Sequence, residues 1–182
     1  MRDDLGFPGP TGAAGPDTPL EMLAACHQDL LAQCAALEHL VLYIGECGVD
    51  GQARQLACSV MRFFDEAVPQ HHADEEQDLF PALLESMAGS DPVCLREMTW
   101  GLAQEHRAQE AAWRRLRPAL ERTLDGDEAV LAAGDVDAFV CAYTSHIERE
   151  DGELLPMAAR LLGDGELMRL GMAMGARRGL LA

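Results

Sequence analysis

Histidine precedes glutamate by four residues at four places in the sequence, a spacing that suits a metal site on a helix. Residues four apart lie on one face of an α-helix, so the two side chains can bind one cation or two adjacent cations. Random placement of the 6 histidines and 16 glutamates would give only about 0.5 such pairs. The pairs are His71–Glu75, His72–Glu76, His106–Glu110 and His146–Glu150.

Long amphipathic segments with short connections carry these pairs. Thr18, Pro19 and Glu21 give the first helix a capping signal, and Pro69 predicts a bend or break in the second. No segment has the pattern of a good strand. Helices are predicted from Pro19 to about residue 45 and over about 52–87, 92–124 and 136–162. The sequence therefore predicts an all-α fold, an antiparallel up-down four-helix bundle with a short C-terminal helix.

The bundle occupies the middle of the chain. Residues 1–17 are rich in Gly and Pro and have no apolar period, so we expect a flexible N-terminal arm. Residues 18–163 form the predicted metal-binding bundle, and residues 164–182 form a short helical tail. In that tail, Arg177 and Arg178 are expected to favour a helix C-terminus or a nearby acid.

The histidine–glutamate pairs are expected to face the bundle core. A single pair is usually a surface ion pair, but here three helices share the feature and apolar residues flank each pair. Glutamates buried without cations would each cost several kcal/mol, and two divalent ions supply the missing positive charge. His27 on the first helix completes the site. The predicted metal ligands are His27, His72, Glu76, His106, Glu110, His146 and Glu150.

Two of the segments resemble the paired motifs of the hemerythrin-like (HHE cation-binding) family. These are HHADEEQDLFP at residues 71–81 and HIEREDGELLP at residues 146–156. His27 and the EHRAQE segment around His106 fall where that family has its other ligands, so the resemblance covers roughly residues 19–160. It implies two iron ions in a non-haem di-iron centre, with bridging carboxylates and an open position for dioxygen or a related small molecule. Manganese and zinc are the alternative metals.

Two assignments stay open at this point. Anchoring the motifs on Pro81 and Pro156 aligns His71 and Glu75 with His146 and Glu150, whereas the family's second-helix motif favours His72 and Glu76. We adopt His72 and Glu76, which places His71 about 100° away around the helix. In the last motif either Glu150 or Asp151 is correctly spaced for a ligand, and we prefer Glu150.

One departure from the family bears on function. Oxygen-carrying members have a second histidine four residues after the third-helix ligand, and this position is Glu110. A carboxylate ligand there makes the site harder and more negative, which argues against simple reversible oxygen carriage. We expect a protein that binds or senses dioxygen, nitric oxide, peroxide or iron. A carboxylate-rich di-iron oxidase or peroxidase is the alternative, and a structural zinc bundle is a third interpretation.

The net charge limits the classes of partner that the protein could bind. The 14 basic residues, all Arg, face 31 acidic residues, which gives a net charge of −17. Nucleic acid and anionic membrane are poor partners for such a surface because they are themselves negative. No secretory signal or membrane-spanning run is recognised, and the partner is expected to be a small molecule. The oligomeric state stays open, with a homodimer as one option.

The cysteines indicate the compartment. Cys26, Cys34, Cys47, Cys58, Cys94 and Cys141 are scattered and include no Cys-x-x-Cys pair. We expect reduced, mostly buried thiols and therefore a cytoplasmic protein.

Overall fold

A computed structural model describes residues 18–87, 93–127 and 131–180. Within these residues the regular elements are all helical and no strand occurs, which confirms the all-α prediction. The predicted arm, residues 1–17, lies outside the described residues.

Five helical rods make up the described chain. The first rod, α1 (Pro19–Cys47), begins with the predicted capping box, in which Thr18 and Glu21 cap each other's backbone amides. The second rod, residues 51–86, joins α2 (Gly51–Arg62), α3 (Val68–Ala73) and α4 (Phe80–Ser86). The third rod is α5 (Val93–Asp125). The fourth rod, residues 133–161, joins α6 (Ala133–Arg149) and α7 (Leu155–Leu161), and the fifth is α8 (Asp164–Arg177).

Short π-helical turns connect the α-helices within the second and fourth rods. They span Phe63–Ala67, Asp74–Leu79 and Glu150–Leu154, and each ends two residues before a proline. The amide of the residue just before each proline bonds to the carbonyl five residues back. A proline has no amide hydrogen and crowds the carbonyl four residues earlier, so a widened turn accommodates it. The break or bend predicted at Pro69 is therefore a π turn within a continuous helical rod.

The first four rods enclose the core. α1 contacts α2 and α6, α5 contacts the same two helices, and α4 contacts α7. Two apolar clusters fill the space between the rods. The first cluster includes Leu30, Leu37, Leu40, Val60, Phe64, Trp113, Leu116, Leu120, Val136, Phe139 and Tyr143. The second includes Leu23, Leu79, Phe80, Leu83, Leu95, Leu102, Leu154, Leu155, Leu162, Leu170 and Met174.

The first helix is the most apolar rod. By length and composition alone α1 is long enough and apolar enough to cross a membrane, a test that the core helix of a bundle also passes. Here Leu23, Leu30 and Leu37 are fully buried against the other rods. The sequence-based expectation that no membrane is involved stays a prediction.

All six cysteines are unpaired, and their burial differs from the prediction. Only Cys34 is buried and Cys26 is partly buried, whereas Cys47, Cys58, Cys94 and Cys141 are exposed. The expectation of mostly buried thiols is therefore wrong. The exposed thiols lie on the outer faces of α1, α2, α5 and α6, which sequence spacing alone did not separate from the core faces.

The fifth rod is fastened to the second by buried charge. Asp74, the first residue of the second π turn, has no exposed surface and accepts hydrogen bonds from Arg177 and, at 2.5 Å, from Arg178. Arg177 also donates to Asp78 at 2.6 Å. The nearby acid expected for these two arginines is thus the π turn of the second rod. Leu170 and Met174 of α8 pack into the second apolar cluster.

Replacing both arginines, Arg177→Gln and Arg178→Gln, should lower the free energy of unfolding by about 3 kcal/mol or more, because Asp74 would be buried without a cation. Urea denaturation at matched metal content measures the loss. The matched control is Arg169→Gln in the same helix, where an exposed ion pair with Glu166 contributes about 0.5 kcal/mol at most. Equal losses in the two variants would contradict a buried ion-pair anchor.

Candidate metal centre

Six buried side chains converge between the two apolar clusters. They form two groups, in each of which one ligand atom per residue lies within 4.8 Å of the others. The first group is His27, His71, Glu75 and Glu150, and the second is Glu75, His106, His146 and Glu150. Glu75 and Glu150 belong to both groups. This arrangement suits two adjacent cations that share two carboxylates.

Each of the first four rods contributes to the six donors. α1 carries His27 between Leu23 and Leu30, and α5 carries His106 four residues after Leu102. On the second rod His71 lies in α3 and Glu75 in the following π turn. On the fourth rod His146 lies near the end of α6, and Glu150 is the first residue of the next π turn. Both shared carboxylates therefore project from π turns, which are common at functional sites.

The buried polar atoms of this cluster form a site that suits cations. Glu75 and Glu150 have no exposed surface, and none of their four carboxylate oxygens has a hydrogen-bond partner among the described residues. The Nε2 atom of His27 and both ring nitrogens of His71 are likewise buried without a partner. Unpaired buried carboxylates cost several kcal/mol each. Two divalent cations would satisfy the oxygens and nitrogens together, so the residues present fit a two-metal site.

Outer carboxylates orient three of the four histidines. The Nδ1 atom of His27 lies 2.7 Å from Asp151, that of His106 lies 2.8 Å from Glu76, and that of His146 lies 2.8 Å from Glu105. A carboxylate at Nδ1 keeps the proton there and leaves Nε2 unprotonated for a metal. The three Nε2 atoms do face the shared glutamates, at 3.1 Å from His27 to Glu150, 3.3 Å from His106 to Glu75 and 3.2 Å from His146 to Glu150.

Arginines hold two of these outer carboxylates in place. Arg107 donates to both oxygens of Glu76, at 2.9 and 2.5 Å, and Arg149 donates to Glu105 at 2.6 Å. A bidentate guanidinium–carboxylate contact fixes orientation as well as charge. Two series of contacts, each from an arginine to a carboxylate to a histidine, therefore connect the surface with the centre. Sequence reasoning missed Glu105 and both arginines, for which no spacing signal was recognised.

Burial and neighbouring charge shift the pKa values of the donors in opposite directions. Burial lowers the pKa of His27, but the nearby carboxylates of Glu150 and Glu75 outweigh it and raise the value to about 10. The pKa of His71 is lowered, chiefly by burial. Burial would raise the pKa of Glu75, but His71 and the other surrounding histidines hold it well below its usual range. Without cations, histidine protons balance the glutamates, and metal binding would displace those protons.

The structure places three of the predicted ligands outside the six-donor cluster. Glu76 contacts Arg107 and the far nitrogen of His106, so it supports a histidine and does not face the shared carboxylates. The side chain of Glu110 is 44% exposed beside Arg107 and Arg114. Both glutamates therefore lie outside the donor cluster, contrary to the expected positions, and their assignment as metal ligands stays a prediction.

His72 is buried beside the cluster but is not one of its six donors. Its ring stacks on that of His106 with centroids 3.9 Å apart, and both of its nitrogens lack a hydrogen-bond partner among the described residues. Burial, followed by the neighbouring charge of His106, lowers its pKa to about 2. The geometry therefore favours the register that the Pro81 and Pro156 alignment indicated. The structure brings together His27, His106, His146 and Glu150 of the predicted set, and adds His71 and Glu75.

Comparison with known proteins identifies the family of the chain. The family model of the Hemerythrin HHE cation binding domain matches residues 18–158. The chain is also similar to a Haemophilus influenzae protein described as an uncharacterized protein. The two are 29% identical over 160 residues, which cover 88% of this chain and 90% of that protein. The match includes all six donors and ends before α8.

The register is tested by two matched pairs of substitutions. His71→Ala and Glu75→Gln should lower the metal content after dialysis, because both residues lie in the donor cluster and Glu75 belongs to both groups. His72→Ala should retain wild-type stoichiometry. Glu76→Gln should also reach wild-type stoichiometry at saturating metal, with affinity weakened by about 10–100-fold through the loss of a supporting carboxylate. Elemental analysis that showed the opposite order within either pair would restore the register based on His72 and Glu76.

Proposed function

Because the chain belongs to the hemerythrin HHE cation-binding family, we propose that its six buried donors hold two iron ions and that this centre binds or senses dioxygen, nitric oxide, peroxide or iron. The observation that carries the proposal is the position of Glu75 and Glu150, which are fully buried, have no hydrogen-bond partner among the described residues and are common to both donor groups. A single cation would leave two of the four histidines without a role.

The donor types favour iron over the alternatives. Each ion would have two imidazole and two shared carboxylate ligands, a mixed nitrogen and oxygen set typical of non-haem iron and manganese sites. Structural zinc sites are usually closed by four dedicated ligands, without shared carboxylates. Bound iron would supply electron transfer and an open coordination position for a small molecule. The chain's own residues would orient the imidazoles, balance the charge and keep bulk water out.

The expected up-down topology is consistent with the core residues. In the first apolar cluster, residues late in α1 and α5 meet residues early in the second and fourth rods. In the second cluster, residues early in α1 and α5 meet residues late in the other two rods. We infer that adjacent rods run antiparallel, which brings one donor-bearing segment from each rod to the same level of the bundle.

The small number of protein ligands favours binding of a small molecule. Each ion would have four protein ligands from its donor group, which leaves positions for an exogenous molecule. Sensing and turnover both need such a position, and oxidation stoichiometry distinguishes them. Because the centre lies between two apolar clusters, we expect it to respond to small molecules only. The unpaired cysteines support the proposed cytoplasmic location.

Metal content tests the centre directly. Protein produced in iron-rich medium should contain two irons per chain by elemental analysis, and metal removal should lower the melting temperature by about 10 °C or more, because several kcal/mol of buried charge would lose its compensation. One zinc per chain, or unchanged melting after complete metal removal, would count against the di-iron centre.

Oxidation stoichiometry separates a sensor from an enzyme. Reduced, iron-loaded protein mixed with excess peroxide should oxidise its own two irons once and then consume no more, because the proposed role needs a change of state and not turnover. A peroxide electrode together with the visible spectrum follows both quantities. Continued consumption at a constant rate with a supplied reductant would instead establish a di-iron peroxidase.

A further inference from the structure

A groove between α5 and α6 reaches one of the metal-ligand histidines from outside. It has a volume of about 410 Å³, and small side chains, Ala108 and Ala142, lie on its two sides. His146 and Gln109 form its buried part, because they are only 2% exposed, whereas Ala108 and Ala142 lie at the surface. The groove therefore reaches His146, one of the six donors, on the side where Glu105 contacts its Nδ1 atom.

Gln109 is a buried polar side chain outside the six-donor cluster. Both its Oε1 and its Nε2 atoms are buried, and neither has a hydrogen-bond partner in the described part of the chain. It lies three residues after His106 on the buried face of α5, the face that also carries Leu102 and Trp113. A buried amide with neither donor nor acceptor satisfied costs a few kcal/mol, so such groups usually have a bound water or ligand.

We propose that this groove is a binding site for a small hydrogen-bonding ligand of the peroxide class, and that the Gln109 carboxamide holds the ligand beside His146, one of the six donors. This inference rests on the proposed di-iron function. It selects one ligand class among those considered above, because an apolar diatomic gas would gain little from a buried amide. Peroxide has hydrogens to donate and oxygens to accept, which matches the two halves of a carboxamide.

The rim of the groove agrees with a neutral or monoanionic ligand. Arg149 donates to Glu105 at 2.6 Å, and both residues line the groove together with Ser145. Their opposite charges balance, so the rim neither excludes an anion nor selects a cation. Glu105 also holds the Nδ1 atom of His146 at 2.8 Å, so a ligand in the groove would contact the same outer shell that orients this histidine.

The first test is azide binding to the iron-loaded, oxidised protein, measured by the change in visible absorption. Gln109→Leu replaces the amide with an apolar side chain of similar size and should weaken azide binding by about tenfold or more, since a hydrogen bond to an anion is lost. Nitric oxide binding to the reduced protein should change by less than about twofold, because this gas needs no such hydrogen bond. The matched control is Gln104→Leu, an exposed position on the same helix, which should bind azide as wild type does.

A second variant tests the groove without altering the amide. Ala142→Phe, at the exposed rim, should slow azide association several-fold and leave two irons per chain in place. Wild-type azide affinity in Gln109→Leu together with wild-type association in Ala142→Phe would overturn the inference. Equal losses of azide and nitric oxide binding in Gln109→Leu would also overturn it, because they would indicate general damage to the centre. An iron-loaded wild-type protein that binds neither probe would instead overturn the proposed small-molecule function.

Discussion

The burial of Glu75 and Glu150 is the constraint on which the rest of the structure depends. Both carboxylates lie at the centre of the bundle with no exposed surface and no hydrogen-bond partner among the described residues. Charges in that position are stable only if positive charge lies beside them, from metal ions or, in their absence, from protonated histidines. The surrounding histidines, the outer carboxylates that orient them and the arginines that hold those carboxylates form successive layers of alternating charge around this pair.

The π turns explain how the two carboxylates reach the centre. Glu75 and Glu150 each give their own carbonyl to the amide just before a proline, through the five-residue hydrogen bond of the turn. The prolines at positions 81 and 156 therefore mark the same local geometry in two rods. The alignment on proline therefore indicated His71 and Glu75, which lie in the cluster, whereas the family's second-helix motif favoured the neighbouring residues. A regular α-helical wheel does not describe a π turn, in which the backbone hydrogen bonds join residues five positions apart.

Much of the fold followed from the sequence, and the details of the site followed only in part. The capping box at Thr18, the all-helical class and the convergence of His27, His106, His146 and Glu150 were predictable from capping rules, apolar period and recurring spacing. The outward positions of Glu76 and Glu110 were not, because they depend on Arg107, which lies beside both carboxylates. The histidine–glutamate spacing is the same for a metal ligand pair and for a pair that supports one, and only tertiary contacts distinguish them.

The C-terminal helix connects this local geometry to the stability of the whole chain. The family match ends at residue 158, yet α8 places Arg177 and Arg178 on Asp74, the residue immediately before Glu75. The second π turn is thus held from two sides, by the donor cluster on its inner face and by the α8 arginines beside it. A cation within the cluster would attract Glu75 inward, while the arginines keep Asp74, one residue away, directed towards α8. Opposed contacts on adjacent residues fix the rotation of a helical turn more firmly than either contact alone. The α8 anchor therefore holds Asp74, the residue next to the glutamate that lies within the donor cluster.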